Sequence, residues 1–520
     1  MSSASDRVLG ETSDIPNVME VHSSVLEPII VTNTQARWVL ENKGILSRDS
    51  VLQFQLTVPA AQSGKAYLPV GAGIYSLIKS ATLRIGATRI NNIQDLAFMK
   101  TMTHSYDTPS YRTNVTRVLK GINNALVPCP VASNNSAGGT FVPSGSTFSA
   151  KEGHCGLDYQ NLLTSSADTT PCWSIRLAEL FPVLYEIELP LFLLNDEVAI
   201  DLTFRTQVAQ DRATGGVGTL CCFFDSGAAS PANMVLESCE LVKNTCLLYL
   251  DTITYADERQ EQIAASMNAK DGMFLDYTDV IQNVANIPSA PAITTAGEAA
   301  MTTISKTNQV PLSGFRVKNL FWGYNVPDWT PLTNPATNVA TYRYYNELYG
   351  KYALEAYRED DTWDIRVNDV LAFPQPVKSA TLKAAEAENV YGSPVWLNQA
   401  LYSYNAVSSK GGLYPLPATS ALLPTSVQFE AWGEHTNLSV MTGKNHFSAV
   451  NLSHGWGDEN DDSVLIDQKP IEVQHRVLPV NSETNYNRNA YYYAEVVKRF
   501  GILDGKARVF QQPAVQTSRQ

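Results

Sequence analysis

At 520 residues the chain is too long for one hydrophobic core, so two or more large domains are expected. Only 17% of residues are charged, against roughly a quarter in ordinary soluble domains. Tyr, Asn, Thr and Ser fill the difference, which suits an all-β protein with broad polar surfaces better than a helical enzyme. The net charge of −13 with no long Lys/Arg run excludes a protein that coats naked nucleic acid, because that role needs a basic face to displace counterions.

The first residues, 1–16, are polar and acidic with no apolar h-region, so no secretory signal is expected and synthesis in the cytosol follows. Nowhere does the chain reach the roughly 18 uninterrupted apolar residues of a membrane span. Residues 1–25 lack core-forming side chains and read as an arm. In 51–58, Leu52, Phe54, Leu56 and Val58 fall on one face and Gln53, Gln55 and Thr57 on the other, the period of a half-buried strand. Ala81, Leu83 and Ile85 repeat the pattern, and a helix is expected over 92–104. A long Ser/Gly/Asn-rich loop covers 130–151, and 207–218 and 288–308 are similar. Between the first two loops, Val198, Ile200, Leu202 and Phe204 alternate with Glu197, Asp201, Thr203 and Arg205.

An alternating strand at 246–255 runs into a polar helix expected over 257–270, with Asp257 as its N-cap. A second β-rich region opens near Phe274, which leaves two halves of about 240 residues, each long enough for an eight-stranded sandwich. Residues 342–364 combine Tyr, Arg and acidic side chains, the composition of interface anchors; a Tyr-rich loop packed on its own domain has the same look. A short helix is expected over 379–389 and a strand where Val427, Phe429 and Ala431 alternate.

The seven cysteines (Cys129, Cys155, Cys172, Cys221, Cys222, Cys239 and Cys246) are odd in number and lack a CxxC pair, so reduced, partly buried thiols are expected, not a disulfide framework or zinc site. Four glycosylation sequons, at Asn114, Asn134, Asn437 and Asn451, are read as chance occurrences. No Walker A, HExxH, GxSxG or GxGxxG pattern occurs. His435, His446 and His454 lie near Asp458, Glu459, Asp461 and Asp462, and solvated loop residues explain them better than a metal or acid–base site. The start of a calcium loop at Asp458, Asn460 and Asp462 is broken by Ser463 and Lys469, which stand where Gly and the bidentate Glu belong. The expectation is therefore no catalytic, cofactor or metal residues. Eight Trp spread along the chain suit core anchoring better than the sugar platform of a carbohydrate-active β-sandwich enzyme, the competing class.

Several stretches, in order, resemble the major capsid proteins of the double jelly-roll lineage of double-stranded DNA viruses, which includes nucleocytoplasmic large DNA viruses, virophages and polinton-like viruses. Leu248, Tyr249, Leu250 and Asp251, followed by Asp257, Glu258 and Arg259, are similar to the family's "Y-x-Y-L-D-x-x-E-R", with extra residues between the two parts. Residues 274–282 stand where "E-Y-L-I-E-x-x-Q" belongs. Val317, Lys318, Leu320 and Trp322 keep the spacing of "N-x-P-V-K-x-L-x-W", although its Pro is absent. Residues 185–204, with Leu189, Pro190, Leu191 and Phe192, resemble the "I-P-L…L-P-L" strand pair, and 493–507 resembles the closing strand.

That resemblance implies an all-β double jelly roll of two tandem eight-stranded sandwiches, with an arm at 1–27, sandwiches at 28–262 and 274–511, a linker helix end at 263–273 and a tail at 512–520. It implies a non-enzymatic homotrimer forming pseudo-hexagonal capsomers of an icosahedral virion shell, made in the host cytosol, with the arm beneath the shell and ordered only by neighbours. Partners would be further capsomers and minor capsid, penton or cement proteins. No direct nucleic-acid contact is expected, and the acidic charge leaves room for an internal membrane or a basic minor protein. Tyr344, Tyr345, Tyr349 and Tyr352 are the expected interface residues. A minor capsid or spike attachment protein of the same fold is the alternative within this class.

Overall fold

The computed structural model describes residues 19–57, 65–68, 72–103, 117–121, 162–163, 172–205, 222–225, 234–237, 240–267, 273–288, 304–325, 332–333, 340–341, 362–377, 386, 390, 448–452, 463–467, 469–477, 488–503 and 505–511. Its main elements in the first half are β1 (Met19–Leu26), β2 (Gln35–Leu40), β3 (Val51–Thr57), β4 (Ile78–Ile85), β5 (Thr88–Gln94), α1 (Leu96–Thr103), β6 (Cys172–Arg176), β7 (Val198–Phe204) and β8 (Leu247–Tyr255). One sheet runs β6-β3-β8 and on through Ile45–Leu46 to Leu189–Pro190, with β1 on the far edge of β8 and Glu240–Leu241 on β3. The facing sheet runs Ile30–Val31, β2, β7, β4, β5. Every pairing in both is antiparallel.

The alternation predicted for these strands is what fills the core. Leu52, Phe54 and Leu56 of β3 meet Ile200, Leu202 and Phe204 of β7, all with at most 1% of their surface exposed, and the Phe54 and Phe204 rings meet edge to face at 6.2 Å. Trp38 and Trp173 are wholly enclosed in the same cluster, as core anchoring requires.

Helix α2 (Asp257–Met267) follows β8 directly. Beyond it lie β9 (Met273–Ile287), β10 (Ile304–Val310), β11 (Arg316–Asn325), β12 (Thr362–Val367), β13 (Ser448–Asn451), β14 (Ile471–Val477), β15 (Arg488–Leu503) and β16 (Lys506–Phe510). The larger sheet runs β9-β15-β11-β13, with Val464–Leu465 on β11 and β16 on β15. The smaller runs β10-β14-β12-Val370–Leu371. Between them Trp322 and Trp363 cross at 5.0 Å, and Val317, Leu320, Ile365, Val473, Ala494 and Val496 complete a second core. The turn closing β12 onto Val370–Leu371 uses Asn368 and Asp369 at φ 50° and 67°. Two successive left-handed residues match the right-handed twist of a hairpin, and Asn and Asp tolerate that conformation best after Gly.

The structure corrects several expectations. Met19–Leu26 pairs residue for residue with β8, so from Met19 onward the expected arm is a strand held by its own chain. The helix expected over 92–104 starts only at Leu96, because residues through Gln94 pair with β4; Asp95, at φ 46°, breaks the strand. In α2 the cap position falls on Ala256, whose carbonyl accepts from the Gln260 N–H, and Asp257 sits instead in the acidic first turn. Residues 304–308, expected as loop, belong to β10, and the end of the Tyr-rich segment, 362–364, opens the strand β12. The expected strand pair around Leu189 is a two-residue bridge, a turn of 3-10 helix at Leu191–Leu193, and then β7. Val58, the loops at 130–151 and 207–218, the strand at Val427, Phe429 and Ala431, and the helix at 379–389 apart from Glu386 lie outside the described residues.

Candidate assembly surfaces and the seam between the sandwiches

Tyr344, Tyr345, Tyr349 and Tyr352 lie outside the described residues, as do His435, His446, His454, Asp458, Glu459, Asn460, Asp461 and Asp462. Among the described residues no group of three or more His, Cys, Asp or Glu is placed to hold a metal ion. Cys246 is buried and Cys172 exposed, both as free thiols; burial pushes the Cys246 thiol up to about 12.

What the structure does bring together is a seam that sequence reasoning missed. The hydrophobic core of the first sandwich continues without a break into side chains of the second: Tyr277 and Val280 of β9, Phe321 of β11, Tyr493, Phe500 and Ile502 of β15, and Ala507 of β16. Phe98 of α1 stacks on Tyr491 at 4.1 Å and 17°. Three polar knots are set into this apolar seam. In the first, Asp95 pairs with Arg205 and accepts from Gln282 Nε2 at 2.9 Å, while its backbone carbonyl accepts from the Tyr493 hydroxyl at 2.8 Å. The second is centred on Asp279, 2% exposed, which accepts from Asn91 Nδ2 at 2.7 Å and from Lys498 Nζ at 2.5 Å. In the third, Glu186 accepts from the Thr278 N–H at 2.6 Å and its hydroxyl at 2.9 Å, and Lys318 Nζ donates to that hydroxyl at 3.1 Å.

Bonds to backbone carbonyls also cross the seam. The Asn195 N–H donates to the Gly505 carbonyl at 2.8 Å, and Thr88 Oγ1 donates to the Ala507 carbonyl at 3.3 Å. The Tyr277 hydroxyl donates to the Ile90 carbonyl at 2.8 Å. Burial, with the Asp279 carboxylate beside it, raises the Tyr277 phenol far above its ordinary range and keeps it a neutral donor. An apolar, polar-pinned interface of this kind opposes the swivelling expected of domains joined only by a linker.

Inside the second sandwich a further network joins both sheets. His475, 2% exposed, meets the Tyr324 hydroxyl through Nδ1 at 2.8 Å and the Tyr492 hydroxyl through Nε2 at 2.5 Å. Trp322 Nε1 donates to Tyr324 at 3.2 Å, and Asn308 Nδ2 to Tyr492 at 3.0 Å. On the outside, Phe274 and Phe510 meet edge to face across Gly501, which pairs with Phe274 and has no side chain to separate the rings; both rings are about 40% exposed. Beside them Arg499 grips Asp276 through two bonds of 2.7 and 3.0 Å. Val21, Val25 and Tyr249 form a second exposed apolar group along β1 and β8.

Two antiparallel sandwiches in tandem, joined along a pinned seam, define a double jelly roll. No protein-family profile matches the chain, and no curated protein matches it by sequence. Solved structures match it by fold along nearly the whole length. The capsid protein VP54 of the virus PBCV-1, fitted into a reconstruction of the virophage Sputnik, is 14% identical, with 96% of this chain and 98% of that one covered and a TM-score of 0.50. A chain of the PBCV-1 virus capsid is 13% identical over 96% and 98%, at 0.50. A chain of the Sputnik virophage structure is 12% identical over 97% and 92%, at 0.54. The likeness is one of fold, and that fold is the one found in these viral shells.

Proposed function

We propose that the chain is the major structural subunit of an icosahedral virion shell and works without catalysis. The observation that carries this reading is the seam. A shell tile must present fixed edges to its neighbours, and two sandwiches joined through a continuous apolar seam and three polar knots, the Asp279 knot buried, hold their outer faces in fixed register. Likeness to chains of the PBCV-1 capsid and the Sputnik particle over more than nine-tenths of the length supports it. So does the acidic net charge, which suits a layer that does not adhere to the genome.

On this reading three copies associate into a tile with six sandwiches and a pseudo-hexagonal outline, and neighbouring tiles and minor capsid proteins complete the shell. The large, apolar contact area of an obligate assembly would be drawn in part from the Tyr-rich segment holding Tyr344, Tyr345, Tyr349 and Tyr352. Light scattering and negative-stain microscopy of the purified chain test this. Trimers with a six-cornered outline are expected; a monomer at micromolar concentration, without plates or hexagons, would overturn it.

A further inference from the structure

Asp279 joins two side chains whose functional groups can react with each other. Its Oδ1 accepts from the Asn91 carboxamide at 2.7 Å, and its Oδ2 accepts from the Lys498 amine at 2.5 Å. Asn91 is fully buried, Asp279 is 2% exposed and the Lys498 side chain is 17% exposed. The three come from β5 of the first sandwich and from the adjacent strands β9 and β15 of the second. Nothing in the assembly role requires an amine and a carboxamide to share one buried carboxylate. An ordinary structural ion pair would be served by Lys498 and Asp279 alone, and burying such a pair is seldom stabilising by itself.

We propose that Lys498 and Asn91 condense, with Asp279 as proton carrier, into an amide bond that ties the two sandwiches together covalently. Lys498 Nζ passes a proton to Asp279 Oδ2 along their existing hydrogen bond, and the freed lone pair attacks Asn91 Cγ. The Asn91 Oδ1, on which negative charge develops, accepts a long bond of 3.4 Å from the backbone N–H of Val183, a donor that shortens its contact as that charge grows. The carboxyl then gives a proton to Asn91 Nδ2 and takes one from the attacking nitrogen. The Nζ–Cγ bond is made, the Cγ–Nδ2 bond breaks, and nitrogen leaves as ammonium with Asp279 restored as carboxylate. No oxidant, metal or cofactor enters, and no atom is oxidised or reduced.

The arrangement of the three side chains favours the attack. Holding amine and carboxamide on one carboxylate replaces a bimolecular encounter with an intramolecular one. Tyr277, the cross-strand partner of Lys498, stays protonated beside Asp279 and donates to the Ile90 carbonyl.

Intact-mass measurement of the full-length chain after denaturation, followed by peptide mapping, is the test. The expected result is a chain lighter than its encoded mass by one ammonia, with the Asn91 peptide joined to the Lys498 peptide and cleavage after Lys498 blocked. Asp279→Asn and Lys498→Arg should both restore the encoded mass, the second while keeping the positive charge. A wild-type chain at its encoded mass with the two peptides separate overturns the proposal. So does ammonia loss lodged in a cyclic imide, or a joined peptide that persists in Asp279→Asn. The shell reading stands or falls separately, on trimer formation.

Discussion

Gly505 offers the cleanest probe of the seam. It turns β15 into β16 at φ +72°, and a Cβ built there would stand 2.5 Å from Asn195 Cγ and closer still to Nδ2. The backbones cannot separate freely, because the Asn195 N–H donates to the Gly505 carbonyl. Gly505→Ala therefore meets two costs. Left-handed backbone in an L residue costs about 1–2 kcal/mol, and forcing Asn195 aside in a packed seam costs about 1–3 kcal/mol, so a loss of about 2–5 kcal/mol is expected. Urea denaturation followed by tryptophan fluorescence reads both sandwiches at once, since Trp38 and Trp173 are buried in the first and Trp322 and Trp363 in the second. Asn195→Ala removes every side-chain atom in the clash. In the Asn195→Ala background Gly505→Ala should cost only the first amount, a coupling that a double-mutant cycle isolates. If Gly505→Ala unfolds at the wild-type midpoint, or the two substitutions simply add, the close approach of the sandwiches at this turn is refuted.

Tyr492→Phe should cost about 1–3 kcal/mol, because Asn308 Nδ2 and His475 Nε2 both lose their hydroxyl partner inside a closed core; the same denaturation assay checks it. Alkali should destabilise the fold. Burial raises the Cys246 thiol to about 12 from 9.0 and raises the phenols of Tyr277, Tyr491, Tyr492 and Tyr493. The folded chain then holds protons that the unfolded chain releases, so this stability is full below pH 9 and is lost as pH climbs toward 12, by about 4 kcal/mol for Cys246 alone. Titrating the unfolding midpoint across that window in wild type and Cys246→Ala should show a shallower fall in the variant. Deleting residues through Leu26 should lower solubility by exposing the edge of β8, which β1 covers over eight paired residues; a deletion that leaves the chain monodisperse in light scattering would contradict that role.

The strands of both cores were legible because a half-buried strand writes its two faces into the chain at a period of two. Leu52, Phe54 and Leu56, or Ile200, Leu202 and Phe204, could be placed on a face without coordinates, and the strand-to-helix junction after Tyr255 marked where one half gives way to the next. Asp95 was not legible as the residue that ends β5 ahead of the helix, because a single polar residue at positive φ carries no periodic signal. Nor was β1: its residues are mostly exposed, and its strand character comes from pairing with β8 instead of from burial.

Composition, alternation and the order of motifs thus settle what kind of layers the chain builds, since each depends on neighbours a few residues away. How the layers join was decided only in three dimensions. Asp279 meets Asn91 across 188 residues and Lys498 across 219, and Gly505 meets Asn195 with equally little local trace. Contacts between distant segments leave no pattern along one sequence, because the physical requirement they satisfy, pairing a buried charge or fitting a turn against a neighbour, falls on each partner singly.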